Sequence, residues 1–447
     1  MPDLKTLVLK LKIKLYSPRA IQYYQQLLKN QYLSDDDLHQ LNWEKRKKIL
    51  IYAYDTVPYY REKYISEGIR RQDILAITPD KFLLLPLLTR RELKYNFDKL
   101  VSKDVGKRHL QLVTTGGSTG EPVRVFHDKR FYGEVLAWRM LSWWGLTPGT
   151  NQAIIWRSPR NSLITRFINI LIWWPTRRIH LDASSMPESE VNFFLQKINH
   201  FRPPLLKGYV GAVDYLASTI IEKGIDVFSP KAVWVTAAPL SQVQKKRIEN
   251  AFHAPVYDQY AFSEIFWVAA QCSKRKGLHI FSDARHVEFL NEMGNPSLGG
   301  ESGRIVVTDL ENYAFPLIRY ENGDLGKALS SKCTCGINLP LMDSVRGRVS
   351  DNVQFPDGTL ISGEYLTTIF DNFPDSVTAF QVHQASDYSL TIKVVPNREF
   401  QKFPEVSEQV RQTLAQKARW QVPVSVNIVD KIMSDRGKTR FVISDIK

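Results

Sequence analysis

Between residues 18 and 72 apolar side chains recur at spacings of three and four, the spacing that lines one face of a helix. The clearest run is SDDDLHQLNWEKRKKILIYAYDTV, which Ser34 is placed to cap. From about residue 109 the pattern changes. HLQLVT and VRVFHD read as strands on either side of a glycine-rich loop, and KRFYGEVLAWRMLSWW as a helix with Asp128 as its cap. Short apolar runs (AIIW, LLKGY, AVWVTA, APVYDQY, GRIVVTDL) then alternate with helical stretches at 188–199 and 241–251. Such alternation predicts an α/β fold whose sheets are largely buried. The most apolar stretch, LITRFINILIWWP at 163–175, is too short for a bilayer span of about 20 residues and carries Arg166, so it reads as a buried helix. Near RGRVSDNVQFPDG the punctuation shifts, and the chain then alternates strand and helix again through AFQVHQ, SLTIKVVP and PEVSEQVRQTLAQKA. A boundary at 350–352 is expected, separating a large region, 1–350 (helical over about 1–108), from a small one, 351–447.

Charge changes this picture only modestly. The formal net charge is +14, and residues 1–110 hold 22 Lys and Arg against 13 Asp and Glu. No arginine-rich tail or nucleic-acid motif accompanies the excess, so a solvated basic face is expected and no nucleic-acid partner. LKTLVLKLKIKLYS at the N-terminus lacks a small-residue cleavage site, and lysines interrupt its apolar run. A cytoplasmic protein is expected. A peripheral membrane contact through this basic, alternating segment stays open.

The glycine-rich loop, TTGGSTGEPV, comprises Thr114, Thr115, Gly116, Gly117, Ser118, Thr119 and Gly120, followed by Glu121, Pro122 and Val123. Glycines let backbone N–H groups converge on an anion, and hydroxyls add donors. It is not a Walker A loop, because Gly120 is followed by Glu121 where that motif needs lysine.

The stretch resembles the phosphate loop of adenylate-forming enzymes, which ends in Gly-x-Pro. VTAAPLS (235–241), YDQYAFSEIFWVAAQC (257–272), VVTDLENYAFPLIRYENGDLG (306–326), RGRVSD (346–351) and RGKTR (436–440) look like that superfamily's later motifs, in order. TVPYYREKY and FPLIRYENGD narrow the resemblance to the branch of phenylacetate–CoA ligase and the CapK proteins of capsule biosynthesis. It covers about residues 40–447. The resemblance implies an adenylate-forming α/β fold, with a large N-terminal region of several subdomains and a small mobile α+β C-terminal domain.

It also implies roles. Glu264 would hold Mg2+ against the triphosphate, a hard cation suited to carboxylate oxygen; a plain ion-paired glutamate is the alternative. Tyr260 would lie by the adenine and Asp324 would accept the ribose hydroxyls. Arg348 would reach ribose or phosphate, and Ala237, Ala238 and Pro239 would line the adenine pocket through their backbone. Asp351 would be the hinge. Lys438 would bridge the substrate carboxylate and the α-phosphate. Many relatives carry lysine where Glu121 stands, so here backbone, hydroxyls and Mg2+ would do that loop's work.

Cys272, Cys333 and Cys335 are too few and scattered for a disulfide framework. With His279 they make up a three-thiol, one-imidazole set of the kind that closes around structural zinc. Free buried thiols beside an unrelated histidine are the alternative.

The function implied is ATP-dependent activation of a small carboxylic acid to an acyl-adenylate, then transfer to CoA. An amine or sugar acceptor, and a non-catalytic nucleotide-binding protein of capsule assembly, stand as alternatives.

Overall fold

The structure, a computed structural model, describes all residues except 1–3, 115–122, 132, 157–169, 172, 184–185, 298–299, 346, 349–352, 358–359, 362–365, 367–368, 371, 374, 433–440 and 447. It divides into two compact units: Met1–Leu9, Trp144–Asp258 and Ser344–Lys447 in the first, Lys10–Trp143 and Gln259–Asp343 in the second. The expected boundary at 350–352 lies outside the described residues.

In the first unit, strands Arg178–Asp182, Gln152–Trp156, Leu205–Tyr209, Ala232–Thr236 and Val256–Tyr260 run parallel in that order, the last entering the second unit at Gln259. Ala232–Thr236 is buried along its whole length, as a strand covered on both faces should be. Helices Glu188–Phe201, Val210–Lys223 and Gln242–Phe252 supply the crossovers. Ser241 caps the last of these in a reciprocal box with Gln244. The apolar core lies between these helices and the strands. Leu163–Pro175 was expected to be a buried helix, but its described end is exposed: Ile170, Leu171 and Trp174 face outward. None of its described residues joins the core, which the three crossover helices already fill.

The same unit contains a four-stranded sheet in the order Val424–Ile428, Leu390–Pro396, Val377–Gln384, Val442–Ser444, packed with helix Phe403–Lys417 around its own apolar core. Helix Gln242–Phe252 docks on it. Val243 joins that core, and Arg247 grips Asp214 at 2.5 Å while donating to the Thr378 carbonyl.

The second unit opens with helices Pro18–Asn30, Asp35–Thr56 and Pro58–Ser66. Ser34 caps the second of these, accepting the Asp37 N–H at 3.1 Å. A second sheet runs Leu88–Thr89, Tyr320–Gly326, Gly303–Asp309, Arg285–Leu290. Leu110–Thr114 and Arg124–Asp128 pair as the expected hairpin, which brackets the glycine-rich loop. Asp128 ends that strand and does not cap the following helix, which starts only at Glu134. Its carboxylate instead accepts the Arg130 backbone N–H and guanidinium, a local bond that competes with capping.

The alternating N-terminal segment is also helical, over Leu4–Tyr16. Leucine and lysine are good helix formers and only Thr6, Val8 and Ile13 are β-branched there, so propensity overrides the alternation.

Candidate active site and metal centre

Strand Tyr320–Gly326 alternates buried and half-buried positions, so Tyr320, Asn322 and Asp324 share its buried face. The Tyr260 hydroxyl donates to Asp324 Oδ2 at 2.8 Å. Asn322 Nδ2 donates to the same oxygen at 2.6 Å and to the Tyr260 hydroxyl at 2.8 Å, and Asn322 Oδ1 accepts the Asp324 N–H at 3.0 Å. Tyr260 arrives at the end of strand Val256–Tyr260, paired there with Ala269.

Glu264 follows four residues later in a loop and is 3% exposed. Its Oε1 accepts from the Tyr320 hydroxyl at 3.0 Å and from Arg90 Nη1 at 3.1 Å. Burial, then the neighbouring Glu264 charge, pushes the Tyr320 phenol well above its ordinary range, so it stays a donor. Arg90 opens helix Arg90–Tyr95, directly after the strand Leu88–Thr89 that pairs with Tyr320 and Glu321. A capping box between Thr89 and Glu92 fixes that corner.

The site strand begins at a forced bend. Arg319 is left-handed at φ 48°. Its guanidinium clasps the Glu288 carboxylate at 2.8 Å and donates to the Leu85 carbonyl, while its N–H meets Thr308 Oγ1 at 2.9 Å. Both charged side chains are buried. Removing one partner of a buried pair costs about 3–5 kcal/mol. Arg319→Ala should therefore cut stability by about that much in denaturant unfolding, and Arg319→Met with Glu288→Leu should recover most of it.

The thiols and imidazole also come together. Ligand atoms of Cys272, His279, Cys333 and Cys335 all lie within 4.8 Å of one another. Cys272 and Cys333 sulfurs are 3.6 Å apart, and Cys335 Sγ is 3.3 Å from His279 Nε2. A tetrahedron with Zn–S bonds of about 2.3 Å has edges of about 3.7 Å, so these spacings fit zinc; a disulfide, at about 2.05 Å, is excluded. His279 Nδ1 faces the Leu339 carbonyl at 3.0 Å, which leaves Nε2 as the ligand. The backbone N–H groups of Lys274 and Ile337 point at the Cys272 and Cys335 sulfurs, both at 3.4 Å. The turn between strands Ala269–Gln271 and Leu278–Ile280 needs Gly277: its φ is +131°, and a Cβ there would meet Leu329 Cδ1 at 2.8 Å.

A family model for the CapK C-terminal domain matches residues 353–445. Protein CapK of Staphylococcus aureus is 22% identical over 432 residues, 92% of this chain and 90% of that one. Phenylacetate-coenzyme A ligase of Thermus thermophilus is 25% identical over 336 residues, 71% and 72% of the two chains. Along most of its length the chain is thus similar to phenylacetate–CoA ligases and to protein CapK, and residues 353–445 match the CapK C-terminal domain. Its fold matches 2-hydroxyisobutyryl-CoA ligase, solved in the postadenylation state with 2-HIB-AMP, at a TM-score of 0.76 and 18% identity, over 93% of this chain and 91% of that one.

Tyr260, Glu264 and Asp324 gather in the second unit, as do the four metal-set residues. Thr114, also there, ends the exposed hairpin strand. Ala237, Ala238 and Pro239 follow strand Ala232–Thr236 in the first unit, where Ala237 turns the chain at φ 72°. Arg348 lies on the short strand Gly347–Arg348. Its side chain, and the whole of Thr115, Gly116, Gly117, Ser118, Thr119, Gly120, Asp351 and Lys438, lie outside the described residues. Sequence reasoning missed Arg90, Tyr320 and Asn322. The period-two positions 320, 322 and 324 and the Thr-x-x-Glu box beside Arg90 were the available signals.

Proposed function

We propose that this chain activates a carboxylic acid with ATP and passes the acyl group to CoA. A substrate carboxylate oxygen attacks the α-phosphorus, and the bond to the pyrophosphate oxygen breaks. The CoA thiol, giving up its proton, then attacks the acyl carbon and AMP leaves. What carries this reading is the linked Tyr260–Asn322–Asp324 constellation beside the buried Glu264 carboxylate, on the motifs where an adenylating enzyme needs a ribose acceptor and a cation ligand. The similarity to phenylacetate-coenzyme A ligases supports it.

In this reading Asp324 accepts the ribose hydroxyls and Tyr260 lies against the adenine, with Asn322 holding both in register. Glu264 holds Mg2+, and Arg90 and Tyr320 orient its carboxylate. Thr114 to Gly120 wrap the phosphates, and Ala237, Ala238 and Pro239 border the base. Arg348 contacts ribose or phosphate. Residues 351–447 act as a lid hinged at Asp351 that brings Lys438 to the reacting groups. Cys272, His279, Cys333 and Cys335 hold one structural zinc.

A sugar or amine acceptor in surface-polysaccharide synthesis is the second reading, favoured by the similarity to protein CapK along 92% of the chain.

Pyrophosphate exchange across a panel of carboxylic acids tests the first step, and thioester formation with CoA the second. Charge-assisted hydrogen bonds are worth about 1.5–3 kcal/mol each. Asp324→Ala should therefore raise the KM for ATP by tenfold to a hundredfold, roughly, and lower stability by about 1–3 kcal/mol because Tyr260 and Asn322 lose their buried acceptor. No exchange with any acid, or an unchanged KM, would sink the assignment.

A further inference from the structure

Helix Leu4–Tyr16 carries an apolar stripe that faces solvent. Leu4, Leu7, Leu11 and Leu15 are 73%, 56%, 61% and 77% exposed. At 3.6 residues per turn these positions fall within an arc of about 80°. The opposite face is occupied: Thr6, Leu9 and Ile13 are buried. Lys10 and Lys14 fall on one side of the stripe, Lys5 and Lys12 on the other, by the same geometry. Arg19 and Lys29 follow, and no acidic residue occurs from Leu4 to Ser34.

The start of the helix is held firmly. Lys5 Nζ donates to Asn151 Oδ1 at 3.4 Å, and Gly149 N donates to Thr6 Oγ1 at 3.3 Å. A Cβ at Gly149 would sit 2.7 Å from the Thr6 nitrogen, so glycine permits this approach. Asn151 Oδ1 also accepts from Arg177 N at 3.0 Å. That bond links the helix's anchor to the stretch just after Ile170, Leu171 and Trp174, three exposed apolar side chains of the first unit.

We propose that this helix docks the protein on an anionic lipid bilayer, lying in the interfacial plane with its leucine stripe among the acyl chains and its lysines at the phosphate headgroups. The charge pattern selects this occupant. A stripe with lysines on both sides gives the helix a positive margin that favours anionic headgroups, whereas a second copy of the helix would bring like charges together. No described helix is long and apolar enough to cross the membrane. The inference goes beyond the acid-activating reading and needs neither nucleotide nor acid.

Co-sedimentation of the full chain with vesicles tests it, comparing phosphatidylcholine alone with phosphatidylcholine mixed with phosphatidylglycerol. The chain should bind the mixed vesicles and release with rising salt. Each lysine near an anionic surface contributes about fivefold, so Lys10→Gln with Lys14→Gln should weaken binding roughly twentyfold. Leu7→Ser, Leu11→Ser and Leu15→Ser together should weaken it about tenfold or more, with the melting curve unchanged, since those side chains are exposed. Wild-type chain left in the supernatant with mixed vesicles overturns the proposal whatever the variants do. So does serine-variant binding equal to wild type, or a self-association that the serine variant abolishes and mixed vesicles do not displace.

Discussion

Lys438→Ala should slow acyl-adenylate formation on the order of a hundredfold or more while sparing acyl transfer from a pre-formed adenylate. As the substrate carboxylate approaches the α-phosphorus, two negatively charged groups converge and the bridging oxygen of the departing pyrophosphate gains charge. A fixed ammonium between carboxylate and phosphate offsets that repulsion most at the transition state, which lowers the barrier and not merely KM. Lys438, in RGKTR near the C-terminus, is the residue the resemblance places there. Single-turnover pyrophosphate release measures the first step. Supplying the acyl-adenylate with CoA bypasses ATP and isolates the second. Equal loss in both half-reactions would show that the lysine supports the structure and does not act on the chemistry. Glu264→Gln separates the metal contribution, because it should raise the Mg2+ needed for the first step alone.

Cys333→Ser should strip the metal and destabilise the second unit around the turn between Ala269–Gln271 and Leu278–Ile280. Purified protein should contain one zinc per chain, by elemental analysis. A tetrahedral site contributes folding free energy because no such site exists in the unfolded chain. Here it pins the turn after Ala269–Gln271 to the loop carrying Cys333 and Cys335, sixty-one residues later from Cys272 to Cys333. Losing one of four ligands should cost several kcal/mol, which for a unit of this size lowers the melting temperature on the order of 10 °C. Chelation should destabilise the wild type similarly and leave the serine variant little changed. Metal-free protein that melts like the metal-loaded form would exclude a structural role. Burial pushes the Cys335 thiol up to about 12 and raises Cys272 as well, which disfavours either as a thiolate nucleophile without a cation.

Local chemistry made much of this molecule legible before any tertiary contact was known. Ser34 and Ser241 announce helix starts because their hydroxyls satisfy N–H groups a few residues on. The runs at Gln152–Trp156 and Ala232–Thr236 read as buried strands because they carry no alternation. RYENGD contains its own geometry, since period two alone puts Tyr320, Asn322 and Asp324 on one face. The adenylate-forming fold followed from the order of such motifs, and the metal set from counting its ligand atoms.

Tertiary structure decided what depends on partners distant in sequence. Arg90 and Glu264 lie 174 residues apart, and only the pairing of Leu88 with Tyr320 brings them into reach. That three thiols and an imidazole come within ligand distance of one another shows only in spacings of 3.3 and 3.6 Å between separate turns. Asp128 had two local options, and a guanidinium two residues on won over a helix six residues on. The N-terminal leucines illustrate the same division. Their residue types and propensities specify a helix, but burial of Thr6, Leu9 and Ile13 by the rest of the protein determines which face remains for another partner. Sequence states each residue's bonding capacity and local period; which capacities are spent inside the molecule is set by long-range packing.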